Sequence, residues 1–219
     1  MGHSQTEKAA SHARIVDIAA RRFRERGFEA VGVADLMAEA GLTHGGFYKH
    51  FPSRDALVTE ATARAFADAW QHWKRFLPEG EGADLETVLR YYLTESHRGD
   101  RERGCPIAAL MVDTWRTPAA QQVFRENFHT FATWLSTKLG ETGEDAVPRA
   151  AAIIAAMAGT IAIARALDDD ELSLAMLEST RELVLKARTE RGRNATSTRK
   201  RRQRTAAAKK TTSAKRGSR

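Results

Sequence analysis

Two short helices hinged at a glycine constrain this chain more than any other feature. Within residues 33–57, Val33, Leu36 and Met37 put apolar side chains on one face of a short helix, and Gly41 breaks it. A second short helix is expected from about Thr43 to Phe51, with Phe47 and Phe51 turned inward at i, i+4. Its outward residues are Thr43, His44, Gly46, Tyr48, Lys49 and His50, which are donors, a cation and small residues. Paired short helices with a Gly-containing turn form a helix-turn-helix, whose second helix enters the DNA major groove. Donors and cations suit a phosphate-lined groove better than a protein core.

The rest of the chain reads as helix as well, with no alternating β-type runs, so the fold class is all-α with about nine helices. Ile15, Ile18, Ala19 and Phe23 stripe the first helix, Arg14, Asp17, Arg21 and Arg24 take the opposite face, and Gly27 ends it. Ser53 is a good N-cap for a long helix reaching about Leu77, lined by Phe66, Trp70, Trp73 and Leu77. Asp84, Pro106, Pro118, Pro148 and Asp168 to Asp170 mark further helix starts, and Arg98 to Gly104 reads as a polar loop.

The run Gly-Gly-Phe-Tyr-Lys-His-Phe-Pro-Ser-Arg-Asp-Ala-Leu (45–57) resembles the end of the DNA-binding domain in the tetracycline-repressor (TetR) family. Residues 13–28 resemble that family's first helix and its glycine stop, and Gly-Cys-Pro-Ile-Ala-Ala-Leu (104–110) is similar to a stretch in many members. The resemblance implies a helix-turn-helix head over residues 1–54 and a helical effector-binding and dimerisation domain over 55–190, and composition sets off a tail over 191–219. It implies phosphate contacts from Tyr48, His50 and Arg54, and base contacts from Thr43, His44, Gly46 and Lys49. Lys8 and Arg14 could add backbone or minor-groove contacts. The function implied is a ligand-responsive, sequence-specific regulator of transcription, a repressor released from a near-palindromic operator by a small molecule.

Charge is unevenly placed. No acidic residue follows Glu190, whereas 12 of the 35 basic residues do, so residues 1–190 hold 23 bases against all 28 acids, a net of −5. The formal +7 belongs to the tail, whose composition predicts disorder and a sequence-blind affinity for polyanions. An architectural DNA-binding protein driven by that tail is the alternative reading. The apolar run Ala150–Ala164 is too short to span a bilayer, and no apolar signal region opens the chain, so no membrane partner and a cytoplasmic address are expected. The single cysteine, Cys105, excludes a multi-thiolate metal site.

Reading double-stranded DNA with one small head calls for a homodimer, with half-sites about 34–36 Å apart or a multiple of that. The resemblance implies that the last two helices make this interface, through Ala152, Ala156 and Gly159 on one and Met176 and Leu183 on the other. It also implies an effector pocket, for which Trp70, Trp73, Tyr91, Tyr92, Cys105, Met111, Trp115, Phe128 and Phe131 are candidates. These residues include no cluster of Arg or Lys, so the expected effector is small and hydrophobic or aromatic. Cys105 opens a helix with Arg101 and Arg103 nearby, which favours a thiolate and an electrophile sensor; a small buried hydrophobe is the competing reading. No metal, cofactor or catalytic constellation is expected, and the chain does not read as an enzyme.

Overall fold

The computed structural model describes residues 2–76, 84–140, 142–167 and 169–188, and among these there is no strand. The tail from 191 onward, to which disorder and polyanion binding were assigned, lies outside the described residues, as do Leu77 and Asp168.

The head comprises α1 (Gly2–Arg26), α2 (Val33–Glu39) and a 3₁₀ helix (His44–Lys49). Ile15, Ile18, Ala19 and Phe23 are buried as their spacing requires. Helix α1 stops at Gly27, whose φ of 82° is open to glycine and whose N–H bonds the Phe23 carbonyl. Helix α2 ends in a Schellman arrangement, with Leu42 N–H on the Met37 carbonyl and Gly41 N–H on Ala38. Arg22 locks the two helices together, with its guanidinium bidentate on Glu39 and also bound to Glu25 and Glu102.

The expected second α-helix is instead a 3₁₀ segment. Gly45 and Gly46 weaken an α-helix, and Pro52 leaves it no room to lengthen. The Phe47 carbonyl accepts from both His50 and Phe51 N–H groups, which shows the 3₁₀ and α patterns competing in one turn. Phe47 and Phe51 are nonetheless both buried, so the inward face is as the spacing required.

The body contains α3 (Arg54–Phe76), α4 (Leu85–Tyr92), α5 (Glu95–Gly99), α6 (Pro106–Arg116), α7 (Pro118–Lys138), α8 (Ala146–Ala166) and α9 (170–188). Ser53 Oγ accepts from Ala56 N–H, Asp84 from Thr87 N–H and Asp169 from Leu172 N–H, so these capping positions hold. Pro106 and Pro118 occupy first turns as their sequence positions required. Two features differ from the sequence reading. Arg98 and Gly99, the first two residues of the stretch read as a loop, belong to the short helix α5, capped by Thr94, and α8 begins at Ala146 rather than Pro148. Its 21 residues make α8 long and apolar enough to cross a bilayer by length and composition, unlike the shorter run read from sequence; its buried residues, Ile154, Met157 and Ile161 among them, pack in the body core.

Two apolar cores share α3. Leu57, Val58, Ala61 and Ala65 belong to the head core, whereas Phe66 and Trp73 belong to the body core. The head core also takes Leu110 from α6 and Ala120 from α7. Head and body are thus joined through continuous packing rather than by a linker after residue 54.

Candidate nucleic-acid interface and effector cleft

The turn-and-3₁₀ segment presents a polar face on a buried aromatic base. Thr43, His44 and Lys49 are exposed, and Tyr48 is 74% exposed while its ring meets Phe47 edge-on at 5.3 Å. Such a side chain, large, seated on a core ring, exposed and flanked by a cation, is suited to contact a phosphate.

Three other predicted contacts are placed differently. A Cβ at Gly46 would point at the Met37 methyl and the Thr43 hydroxyl, so this glycine faces the protein; Gly45 faces open space. His50 is half-buried beside His12 and Phe51, and its Nδ1 is shielded without a hydrogen bond. Burial first, then the charges of His12, Lys8 and Lys49, hold its pKa below the ordinary value. Arg54 donates to the Phe28 carbonyl and lies 3.7 Å from Glu29, so part of its guanidinium ties α3 to the end of α1. Lys8 and Arg14 are exposed on α1, whose N-terminal turns also carry His12 onto Phe51, stacked at 4.4 Å.

A family model described as bacterial regulatory proteins of the tetR family matches residues 15–61, the stretch that builds this head. A second, described as the C-terminal domain of LmrA/YxaF-like transcriptional regulators, matches residues 83–177. The chain belongs to the TetR family. Relatives that it matches are named as HTH-type transcriptional regulators and repressors. The HTH-type transcriptional repressor KstR2 of Rhodococcus jostii (strain RHA1) is 30% identical over 90 residues, 41% of this chain and 43% of that one. The repressor NemR of Escherichia coli (strain K12) is 32% identical over 68 residues, 31% of this chain and 34% of its own. The match thus spans less than half the length of these two relatives. A TetR regulator from Chloroflexus aurantiacus J-10-FL superposes with a TM-score of 0.68 at 23% identity, over 82% of this chain and 94% of that one, a likeness of fold.

In this TetR-family chain a cleft of about 680 Å³ opens between the head and the body, walled by α1, α3, α4, α5 and the turn before α6. Of the pocket candidates, Trp73, Tyr91, Tyr92 and Cys105 line it. The other candidates lie elsewhere. Trp70 and Phe131 meet edge-on within the body core, Phe128 stacks on Phe124, Met111 is exposed, and Trp115 is 64% exposed under the Arg116 guanidinium. Unlike the candidates read from the sequence, the lining of this cleft includes basic residues. Arg21, Arg24, Arg64, Arg75 and Arg103 all line the cleft, brought there from segments distant in sequence.

Arg24 is the largest departure. Sequence periodicity put it on the polar face of α1, yet its side chain is 1% exposed. Its Nε donates to the Ala20 carbonyl at 3.0 Å and its Nη2 lies 3.6 Å from Asp68, while Nη1 has no hydrogen-bond partner. Burial pulls its pKa down, with Asp68 and Asp100 acting against that fall. The only hint in the sequence is that one helix face cannot serve two neighbouring elements, which says nothing of which polar residue will be covered.

Around the mouth of the cleft, Arg165 of α8 donates to the carbonyls of His97, Arg98 and Asp100, closing the end of α5. Gly104 sits so close that a Cβ would lie 2.5 Å from Arg165 Nη2 and 2.4 Å from the Asp100 carbonyl. That close approach gives the Gly-Cys-Pro run a physical meaning. Cys105 is half-buried at the α6 N-cap, its N–H donating to His97 Nε2. His97 Nδ1 in turn donates to the Tyr92 carbonyl at 2.7 Å, so the ring is neutral; burial drives its pKa down to about 4.

On the far side of the body, α8 and α9 carry uncovered apolar residues. Ala152 is exposed, Gly159 faces open space, Ile163 and Leu172 are about half exposed, and Leu183 is 68% exposed. Ala156 and Met176 are partly buried, so they lie at the edge of this surface rather than on its crest.

Proposed function

We propose that the chain is a homodimeric repressor that occupies a near-palindromic DNA site and leaves it when a small molecule binds the body. The observation that carries the reading is the exposed Tyr48–Lys49 pair, seated on buried Phe47 and Phe51 in a head whose core includes Leu110 and Ala120 of the body. A reader so anchored can be re-aimed by a change in the body. Thr43 and His44 supply the remaining exposed polar groups, with Arg54 and His50 supporting the edge of the face.

Dimerisation is assigned to α8 and α9, where Ala152 and Gly159 leave room for a close helix approach and Leu172 and Leu183 supply apolar contacts. Two heads then present two half-sites. Binding DNA places the working protein in the cytoplasm.

Selection of bound duplexes from a random pool, followed by footprinting, tests the reading. Tyr48→Ala or Lys49→Ala should cost about 1–3 kcal/mol of specific binding. Unchanged affinity for the selected site would remove this face as the reader. The basic tail adds a sequence-blind term, because its 12 cations meet no acid after Glu190. Deleting residues 191–219 should flatten the salt dependence and keep the site preference. Loss of that preference would favour the architectural reading instead.

A further inference from the structure

We propose that the cleft between head and body is the effector site, and that its ligand is a small aromatic carboxylic acid. Its carboxylate pairs with Arg24, the Tyr92 hydroxyl donates to the same molecule, and its ring lies against Trp73. The inference rests on reading the chain as an effector-responsive regulator and names the ligand class of that regulation.

Two buried polar groups in this cleft lack an oxygen acceptor. Arg24 Nη1 is shut off from solvent and makes no hydrogen bond, and the Tyr92 hydroxyl, equally shut off, has only the weakly accepting Cys105 thiol beside it. Each belongs to a residue lining the same space, and Tyr92 is 3% exposed. A buried donor without a good acceptor costs more than most contacts return, so two in one cleft mark a place for one.

The neighbouring acids do not fill that role. Asp68 lies 3.6 Å from Arg24 Nη2, not on Nη1, and accepts from Arg64 Nε at 2.8 Å; Asp17 Oδ1 is an ion pair of Arg64 at 3.1 Å without a hydrogen bond, and Asp100 Oδ1 accepts the Arg103 N–H. The charged lining sets the ligand's sign. Arg21, Arg24, Arg64, Arg75 and Arg103 against Asp17, Asp68 and Asp100 leave the cleft net positive, which suits an anion. A carboxylate offers acceptors to a guanidinium and a phenol at once.

The walls set the rest of the ligand. Trp73 meets Tyr91 edge-on at 5.1 Å and stacks on Tyr92 at 6.1 Å, giving a flat apolar wall beside the charged end. The volume is within the range of small-molecule sites. Arg24 belongs to the head, Tyr92 and Trp73 to the body, so the bound acid adds a strap between the two. It shifts the head only if it binds one head position more tightly than another, which a two-sided grip provides.

The test titrates benzoate and phenylacetate, each against its neutral amide, into the full chain by calorimetry. Footprinting of a selected DNA site runs beside it. At least one acid should bind, and its amide should bind about tenfold or more weakly. Arg24→Met should erase the preference for acid over amide, and Tyr92→Phe should weaken the acid several-fold, with circular dichroism confirming that each variant is folded. Should Arg24→Met fail to fold, the acid–amide difference on the unaltered chain and the Tyr92→Phe titration still decide. Acids and amides binding alike, or neither acid binding at about 1 mM, would overturn the proposal. If the footprint persists in that case, the regulator reading stands alone; acid binding without any footprint would uphold the acid site and remove the regulator reading.

Discussion

The Asp113 carboxylate on α6 accepts a hydrogen bond from the Phe28 backbone N–H at 3.1 Å, just past the end of α1. This single bond reaches from the body into the head at the point where α1 turns toward α2. Gly27 makes the approach possible, because a Cβ there would sit 2.7 Å from Asp113 Oδ2. A left-handed glycine and a body carboxylate are therefore fitted to each other although they lie far apart along the chain.

Asp113→Ala should remove this bond and leave the Phe28 N–H without its acceptor, costing about 1–3 kcal/mol of stability. Urea unfolding monitored by tryptophan fluorescence would measure it. An unchanged midpoint would mean that the packing of Leu110 and Ala120 joins head to body unaided.

Gly104→Ala should be damaging, because Gly104 is buried where no side chain fits. The added methyl would overlap the Asp100 carbonyl and the Arg165 guanidinium, so either the turn or the Arg165 bonds must give way. Overpacking of this kind costs typically about 1–3 kcal/mol. A fall in the thermal midpoint is the expected result, and it should be smaller in an Arg165→Ala background, where one of the two obstacles is gone.

Gly46→Ala should act in the opposite sense. Its new Cβ would meet Met37 at 3.5 Å and Thr43 at 3.7 Å, ordinary contact, and the backbone there is not left-handed. Helix propensity alone then favours alanine by up to about 1 kcal/mol. A higher unfolding midpoint with retained DNA binding would agree; a loss of stability would show that the 3₁₀ backbone needs the glycine.

Acid should weaken the fold through His97. Its ring donates from Nδ1 and accepts at Nε2, so a proton on Nε2 would face the Cys105 N–H. Burial is the main cause of its low pKa; the Tyr92 carbonyl opposes the fall and the Arg165 charge adds to it. With about 4 in the folded chain against an ordinary 6.5, the unfolded chain takes the proton first. Stability is thus full above pH about 6.5 and falls as pH drops toward 4, by up to roughly 3 kcal/mol. His50, also held low, adds in the same direction. Unfolding curves at pH 7 and pH 5 should differ less for His97→Gln than for the unaltered chain, and equal differences would refute the assignment.

The sequence alone determined the parts of this protein whose signals are local. Caps at Ser53, Asp84 and Asp169, prolines in the first turns of α6 and α7, and the glycine stops at 27 and 41 act within a turn or two. Neighbouring residues therefore sufficed to read them, and the 33–57 pattern sufficed to read the head. Only the tertiary structure decided which polar residue of α1 would be covered, whether the pocket would be basic, and how the head is fastened. Arg24 is buried because Asp68 and the 97–105 segment close over α1; Asp113 reaches Phe28 because α6 packs against α1. Periodicity reports one buried face per helix, and a second face is buried by elements far along the chain, whose arrival no local pattern encodes.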